Sequence, residues 1–240
     1  MPELNAQFRA MKRIGHKGAD HIAPGNTLES FDAALAHGVD MVEFDILPEQ
    51  PGGSGRLLLA HDFEAAAQPG VLTMEQGLAH FARDAYAGVE LDVDLKMPGY
   101  ERQVLDALRE HGLVERALVS TMEISSLRLL RELAPELRLG LSVPKIRTNY
   151  LAHPLTKPPA LAAAVAVRRV LPIRAARAIR AGAFDALMCH WVLVTPRLAR
   201  AIAGVGGELY VWTVDDAPRI TEFERMGVTG VITNDPRLFD

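Results

Sequence analysis

Cysteine, aromatic side chains and long apolar runs are all scarce in this chain of 240 residues. Cys189 is the only cysteine, which excludes a disulfide framework within the chain, and the apolar run around it predicts a buried, unreactive thiol. No run approaches the roughly 18 apolar residues that span a membrane, and residues 1–13 lack the apolar core of a signal peptide. The sequence therefore predicts a soluble cytoplasmic protein without a membrane span.

An excess of positive charge is also lacking. The formal net charge is −4 at pH 7, whereas a general nucleic-acid partner normally requires a basic surface. Apolar residues make up 49% of the chain, which is enough for a full core, and chains of this length commonly form one α/β barrel. We therefore expect a single domain over residues 1–240 and no nucleic-acid partner. The sequence leaves open whether the protein forms a homo-oligomer.

Short apolar β-type runs alternate with longer helical patterns along the whole chain. Alternation of this kind predicts right-handed βαβ units and a parallel sheet. The candidate strands are residues 13–15, 41–46, 57–60, 89–95, 117–120, 137–143, 185–189, 209–213 and 230–233. The candidate helices are residues 27–37, 74–85, 100–111, 124–133, 196–203 and 218–226.

One of these candidate strands is surplus to a closed (β/α)8 barrel. It is 57–60, because the Gly-rich PEQPGGSG that joins it to 41–46 is too short for a crossover helix and suits a hairpin. The remaining eight predict an α/β protein, a TIM (β/α)8 barrel with a short extra hairpin strand. A doubly wound open sheet is the alternative. Residues 145–182, rich in proline, alanine and arginine, predict either a long helical connection with a solvated basic face or a cap or subunit contact beside the barrel mouth.

Polar side chains stand where the first strands end. His16, Glu43 and Asp45 fall at carboxyl ends of strands, where a (β/α)8 barrel carries its active site, and His61 follows the surplus strand. Glu43 and Asp45 are two residues apart on a strand and share one face. Two such carboxylates repel each other unless a proton or a cation lies between them. A hard divalent ion with oxygen ligands suits this pair, Mg²⁺ or Ca²⁺ rather than Zn²⁺.

The fourth candidate strand repeats this pattern. Asp92, Asp94 and Lys96 share one face of VELDVDLKMP, where buried ionisable groups are unfavourable unless they are used. Asp94 can supply one more metal ligand, and Lys96 can face a phosphate charge; for either strand alone, the alternative is a solvated charged face. His16 and His61, with an ordinary pKa of about 6.5, can serve as base and acid beside the carboxylates. The other histidines are predicted to be surface or structural residues: His21, His37, His80, His111, His153 and His190.

Several short motifs occur in a fixed order from about Ile14 to Pro236. They are His16-Lys17-Gly18, Pro24-Gly25-Asn26-Thr27, Glu43-x-Asp45, His61-Asp62, Asp94-x-Lys96, Trp212-Thr213-Val214-Asp215 and the closing GVTGVITNDP. Together they resemble the motifs of the glycerophosphodiester phosphodiesterases. The resemblance implies a TIM-barrel enzyme that splits a glycerophosphodiester, its small-molecule substrate, into glycerol phosphate and an alcohol. The roles it implies are acid/base catalysis for His16 and His61, metal binding for Glu43, Asp45 and Asp94, and substrate binding for Lys17, Lys96 and Trp212.

Three positions depart from the usual motifs of that family. Lys17 replaces an arginine, which keeps the charge but loses the bidentate fork on phosphate. Gly25 replaces a glutamate, and Asp94 is one methylene shorter than the usual third ligand. Three functions remain open: metal-dependent hydrolysis by histidine acid/base catalysis, a sphingomyelinase D-like lyase that forms a cyclic phosphate, and a non-catalytic phosphate-binding barrel.

Overall fold

The computed structural model of the protein describes residues 10–145 and 157–240, without the side chains of 157–164. In these residues the chain forms nine strands and eight α-helices. The strands are β1 (Lys12–Gly15), β2 (Met41–Pro48), β3 (Leu57–Leu58), β4 (Glu90–Leu95), β5 (Ala117–Thr121), β6 (Arg138–Val143), β7 (Ala186–His190), β8 (Glu208–Trp212) and β9 (Gly230–Thr233). The helices are α1 (Leu28–Ala36), α2 (Phe63–Ala66), α3 (Met74–Phe81), α4 (Glu101–Glu110), α5 (Ile124–Leu133), α6 (Lys157–Arg180), α7 (Pro196–Ala203) and α8 (Ala217–Met226).

Eight of the strands close into a parallel barrel. Their order is β1-β2-β4-β5-β6-β7-β8-β9, and β9 pairs with β1. All eight pairings are parallel, so the carboxyl ends of the strands meet at one rim. The predicted TIM (β/α)8 barrel is confirmed, and the open-sheet alternative is wrong.

Strand β3 is the extra hairpin strand that the sequence predicts. It pairs antiparallel with the end of β2, with Leu58 opposite Leu47. It ends two residues earlier than predicted, because the amide of Leu59 leaves the ladder and donates to the carbonyl of Leu72. The short helix α2 follows, with Asp62 as its N-cap. The sequence does not indicate α2, because a helix of four residues is too short to show a helical periodicity.

Helix starts agree with the capping signals of the sequence. The side-chain oxygens of Thr27 and Thr73 accept from backbone amides in the first turns of α1 and α3. Helix α3 ends at Phe81, earlier than the predicted 85. The chain turns there into a 3₁₀ helix over residues 84–86, because Tyr86 folds back and packs its ring edge-on against Phe81.

The amino ends of the barrel strands carry an ion-pair network. Arg138 donates to Glu90 at 2.5 Å and to Glu208 at 2.8 Å, and Lys12 also reaches Glu90 at 2.5 Å. The Tyr210 hydroxyl accepts from Arg138 at 3.0 Å. These side chains come from β1, β4, β6 and β8 and close the floor of the barrel. The functional cleft is therefore open at the opposite rim.

The irregular segment 145–182 contains α6, and residues 146–156 lie outside the described part of the chain. Helix α6 buries Pro172 and Ala175 and exposes Arg174 and Arg177. The predicted helical connection with a solvated basic face is confirmed for the described residues. No helix there is both long enough and apolar enough to cross a membrane.

Candidate active site

A cleft of about 210 Å³ lies at the carboxyl ends of the barrel strands. Every barrel strand, or the residue just after it, contributes to its wall, as the closed parallel order requires. The lining residues are His16, Glu43, His61, Asp92, Asp94, Lys96, Ser120, Met122, Ser142, Met188, Trp212, Thr213 and Ile232. The structure therefore brings together residues that are far apart in the sequence.

Three carboxylates meet on one side of this cleft. One oxygen from each of Glu43, Asp45 and Asp94 lies within 4.8 Å of the others. The register of β2 and β4 is the cause, because it places Asp45 directly beside Asp94 and Glu43 two residues earlier on the same face. Asp45 is fully buried behind the cleft wall, whereas Glu43 and Asp94 reach the cleft. Such hard oxygen donors fit Mg²⁺ or Ca²⁺.

The two carboxylates of β2 differ in proton affinity. Burial, followed by the charge of Asp45, raises the pKa of Glu43 well above its usual range. Burial alone would raise the pKa of Asp45 as well, but Lys96 and two histidines outweigh it and hold that pKa well below its usual range. Glu43 therefore binds a proton more readily than Asp45 does. A divalent cation would compete with this proton, because it favours the ionised form of both groups.

Asn26 fixes the position of Asp45. Its Nδ2 donates to Asp45 Oδ2 at 2.9 Å, and its Oδ1 accepts from the Asp45 amide at 3.1 Å. Asn26 has a left-handed backbone (φ 59°), a conformation that asparagine tolerates better than most residues. The sequence places Asn26 in the Pro24-Gly25-Asn26-Thr27 motif but assigns it no role in the site. The signal for its actual role is its place in a turn that faces the metal-ligand strand.

Lys96 lies among the carboxylates. Its Nζ forms ion pairs with Asp45 and Asp94. Burial would lower the pKa of Lys96, but these carboxylates outweigh burial and raise the pKa well above its usual value. The ammonium therefore stays charged and neutralises part of the acidic cluster. It also lines the cleft, where an anion can meet it.

His16 is oriented by a hydrogen-bond chain from the last barrel strand. The Asn234 side-chain amide and backbone amide donate to Asp215 at 2.7 Å and 2.8 Å. The amide oxygen of Asn234 therefore points to His16 Nδ1, 2.5 Å away. This network assigns the proton to Nδ1, because that nitrogen must donate to the oxygen. Asn234 and Asp215 both lie in the family-like motifs, but the sequence alone does not indicate that they orient His16.

The free nitrogen of His16 faces the carboxylates. Nε2 lies 3.9 Å from Glu43 Oε2. Burial lowers the pKa of His16, although the charge of Asp45 acts in the opposite direction. The imidazole is therefore neutral at pH 7, with a lone pair on Nε2 directed into the site. This is the form that a general base requires.

His61 lies at the rim of the cleft. It follows β3 rather than a barrel strand, and the hairpin brings it to the same cleft as His16. Its side chain is 54% exposed, and its Nδ1 is 3.4 Å from Asp62 Oδ2. The two histidines thus occupy different environments, one enclosed and one open to solvent.

Lys17 lies beside the cleft rather than in its wall. Its amide donates to Glu43 Oε2 at 2.8 Å, and its Nζ is 3.9 Å from Asp20 Oδ2. The Gly25 amide donates to Asp20 Oδ1 at 2.7 Å. A Cβ on residue 25 would lie 2.7 Å from this oxygen, so glycine leaves the space that Asp20 occupies. Asp20 thus supplies a carboxylate beside residue 25, although residue 25 itself has none.

Two buried polar atoms at the cleft have no hydrogen-bond partner among the described residues, Trp212 Nε1 and Asp92 Oδ1. Trp212 is at the end of β8, and its ring packs edge-on against His190 with centroids 5.1 Å apart. Burial, together with the charge of Asp94, raises the pKa of Asp92 to about 8. Asp92 is therefore protonated at neutral pH and can donate a hydrogen bond. Both atoms belong to residues of the cleft wall.

The other histidines lie away from the acidic cluster. His21 is exposed and His37 is half-buried, while His153 lies outside the described residues. The predicted structural roles are confirmed for the three that have partners. These partners are Asp32 for His80, Glu75 for His111 and the backbone amide of Val192, which donates to His190 Nδ1 at 3.3 Å.

The fold and the cleft define a class, the (β/α)8-barrel enzymes with a polar catalytic cleft at the carboxyl rim. The profile of the glycerophosphoryl diester phosphodiesterase family matches this chain over residues 16–71 and 61–238. The protein therefore belongs to this family of enzymes, and the resemblance in its motifs is confirmed.

Curated relatives and solved structures agree with this assignment. A glycerophosphodiester phosphodiesterase of Caldanaerobacter subterraneus subsp. tengcongensis is 23% identical and aligns over 93% of this chain and 93% of its own. A glycerophosphodiester phosphodiesterase structure from Parabacteroides distasonis has a TM-score of 0.73 at 17% identity, covering 95% of this chain and 94% of that one. An Oleispira antarctica phosphodiesterase in complex with the product sn-glycerol-3-phosphate has a TM-score of 0.70 at 18% identity, with coverages of 95% and 94%. The structural likeness confirms the barrel fold.

Proposed function

We propose that this protein is a divalent-metal-dependent phosphodiesterase that hydrolyses glycerophosphodiesters to glycerol phosphate and an alcohol. The observation that carries the proposal is the group of three carboxylates, Glu43, Asp45 and Asp94, beside the neutral imidazole of His16. The product found in the Oleispira relative supports this substrate class. The sequence also predicts a single domain over residues 1–240 and a cytoplasmic location, and it leaves open whether the protein forms a homo-oligomer.

The carboxylates would hold the metal, Mg²⁺ or Ca²⁺. When bound, such an ion withdraws charge from a phosphoryl oxygen and lowers the pKa of a neighbouring hydroxyl or water. Asn26 keeps Asp45 aligned through its two hydrogen bonds, so the buried ligand is held before any ion binds. Asp94 accepts from Ser120 at 3.3 Å, which restrains the third ligand in the same way.

His16 would act as the general base. Because its Nδ1 proton is committed to Asn234, Nε2 can accept the proton of the nucleophile. That nucleophile is either water or the neighbouring hydroxyl of the glycerol moiety. His61 would protonate the departing alkoxide. Its exposed place at the rim suits this task, because the alcohol must leave toward solvent.

Positive charge and hydrogen-bond donors would bind the rest of the substrate. Lys96 would face the phosphate from inside the cleft, and Lys17 would add positive charge from beside it. The unpartnered Nε1 of Trp212 would donate to a glycerol or head-group oxygen while the indole ring forms the wall. Each of these groups stabilises negative charge or orients a hydroxyl without taking part in proton transfer.

Product identification tests this proposal against the two alternatives. The purified protein is incubated with glycerophosphocholine, glycerophosphoethanolamine and lysophosphatidylcholine, with and without a chelator, and products are read by phosphorus NMR. Chelator-sensitive release of glycerol phosphate is the expected result. A cyclic phosphate from the lysolipid would favour the sphingomyelinase D-like lyase instead. Inertness on every diester, with Mg²⁺ or Ca²⁺ supplied, would contradict the proposal and favour a non-catalytic phosphate-binding barrel.

A further inference from the structure

Positive charge is concentrated in one segment of this acidic chain. Residues 138–207 contain 11 of the 26 lysines and arginines but only one of the 30 acidic residues, Asp185. The remainder contains 15 basic and 29 acidic residues. The net charge of −4 therefore hides a segment of +10 attached to a body of −14.

The structure places much of this charge on one outer face of the barrel, formed by α6 and α7. Here we call it the α6–α7 face. Its arginines are exposed and form no ion pair with any residue that the structure describes. Four of them line a groove between the two helices. The arginines of the face are Arg169, Arg174, Arg177, Arg180, Arg197 and Arg200, and the four in the groove are Arg177, Arg180, Arg197 and Arg200.

Apolar side chains are exposed on the same helix. Val165, Val167, Val170 and Ile173 are 49%, 39%, 42% and 62% exposed. They are four of the seven large apolar side chains that are exposed in the described residues, and the other three, Ile22, Phe63 and Ile124, follow β1, β3 and β5. Transfer of such apolar groups out of water is favourable, so their concentration on α6 indicates a contact surface.

The face extends to the level of the cleft. Arg168 Nε donates to the carbonyl of Val192 at 2.7 Å, and Val192 lies in the turn that directly follows β7. Helix α6 therefore passes the carboxyl rim at Arg168 and runs from there toward the amino end of β7. A surface bound along α6 would lie next to the mouth of the cleft.

We propose that the α6–α7 face binds the surface of an anionic lipid bilayer. The arginines would interact with lipid phosphates, while the exposed valines and isoleucine would enter the boundary between head groups and acyl chains. A second copy of the same face would bring like charges together, which is unfavourable. A nucleic acid would meet the phosphate-binding arginines but would offer the exposed Val and Ile no stacking or apolar partner. The acidic body is repelled by an anionic surface and orients the basic face toward it.

Vesicle sedimentation of the full chain tests this proposal. Vesicles of phosphatidylcholine alone are compared with vesicles that contain about 30% phosphatidylglycerol, in salt from about 0.1 M to about 0.5 M. We expect binding to the anionic vesicles only, and loss of binding at high salt.

The variant Arg177→Glu/Arg180→Glu/Arg200→Glu is expected to lower the partition coefficient by at least about 100-fold. The variant Val167→Asn/Ile173→Asn is expected to weaken binding to the anionic vesicles at about 0.1 M salt, where the parent binds.

A matched control places the same charge change elsewhere. Arg102, Arg128 and Arg225 are exposed arginines of α4, α5 and α8, and their replacement by Glu leaves the α6–α7 face intact. We expect this control to retain vesicle binding. All variants should hydrolyse a soluble glycerophosphodiester like the parent, so a failure of membrane binding is separable from a failure of the proposed activity. Absence of binding at low salt, an equal loss in the control, or arginine-dependent sedimentation without lipid would overturn the proposal.

Discussion

At the scale of single residues, the site depends on side chains that position others. Asn26 aligns Asp45, and Asn234, held by Asp215, sets the tautomer of His16. An imidazole with its proton on Nδ1 has one free nitrogen, and only that nitrogen points at the reacting groups. Loss of the orienting group leaves the imidazole in place but lets it adopt the wrong tautomer.

Replacement of Asn234 by alanine tests this arrangement. We expect kcat to fall about 10- to 100-fold while KM and metal affinity stay close to the parent values, because only proton transfer is affected. The activity of the His16→Ala variant should not fall further when Asn234→Ala is added, since the two residues act as one unit. Additive losses in this double-mutant cycle would mean that Asn234 acts independently of His16.

The competition between Lys96 and a cation gives a second prediction at this scale. Both use the carboxylates of Asp45 and Asp94. We expect Lys96→Met to bind Mg²⁺ or Ca²⁺ at least as tightly as the parent in titration calorimetry, although turnover is lost with the phosphate partner. Glu43→Gln should weaken metal binding by about tenfold or more, whereas Glu110→Gln, an exposed residue of α4, should change nothing. Unchanged affinity in Glu43→Gln would remove Glu43 from the ligand set.

At the scale of elements, the pairing of β2 with β4 assembles the carboxylates. This part of the site was predictable from the sequence, because side chains two apart share a face and parallel strands end at one rim. The contacts that the loops make at the site were not predictable from the sequence. Asn234 reaches His16 across 218 residues only because β9 closes on β1. His61 reaches the cleft through a hairpin whose turn geometry the motif does not encode.

The ion pairs at the floor of the barrel contribute measurably to the free energy of unfolding. Glu90 is only partly buried; burial would raise its pKa, but Arg138 and Lys12 outweigh burial and lower it. Because the folded-state pKa is below the unfolded value, Glu90 stabilises the fold above the ordinary carboxyl pKa, and this contribution is lost as the pH falls through the folded-state pKa. Glu90→Gln should therefore lower the free energy of unfolding by about 1–2 kcal/mol at pH 7 and by less in acid.

Urea unfolding at several pH values checks this expectation. Glu222→Gln, an exposed residue of α8, serves as the matched control and should unfold like the parent at every pH. A Glu90→Gln deficit that persists unchanged at acid pH would show that lost packing, rather than the ion pairs, causes it.

At the scale of the whole molecule, acidic and basic side chains occupy different parts of the barrel. The closed barrel gathers the acidic groups of the cleft at one rim, while α6 and α7 carry exposed arginines on the outside. The alternation of runs in the sequence predicted right-handed βαβ units and favoured this barrel over a doubly wound open sheet, because eight strands remain once the hairpin strand is set aside. The basic segment was also visible in the sequence. Its exposed valines were not predictable, since burial depends on what packs against α6.

The central claim is that a divalent cation held by Glu43, Asp45 and Asp94 is required for cleavage of a glycerophosphodiester. The most direct test is the rate of glycerophosphocholine hydrolysis by metal-stripped protein as Mg²⁺ or Ca²⁺ is added back, for the parent and for Glu43→Gln. We predict no turnover before addition, full recovery for the parent, and recovery of the variant only at higher metal concentration. Full turnover by the stripped parent protein would contradict the account.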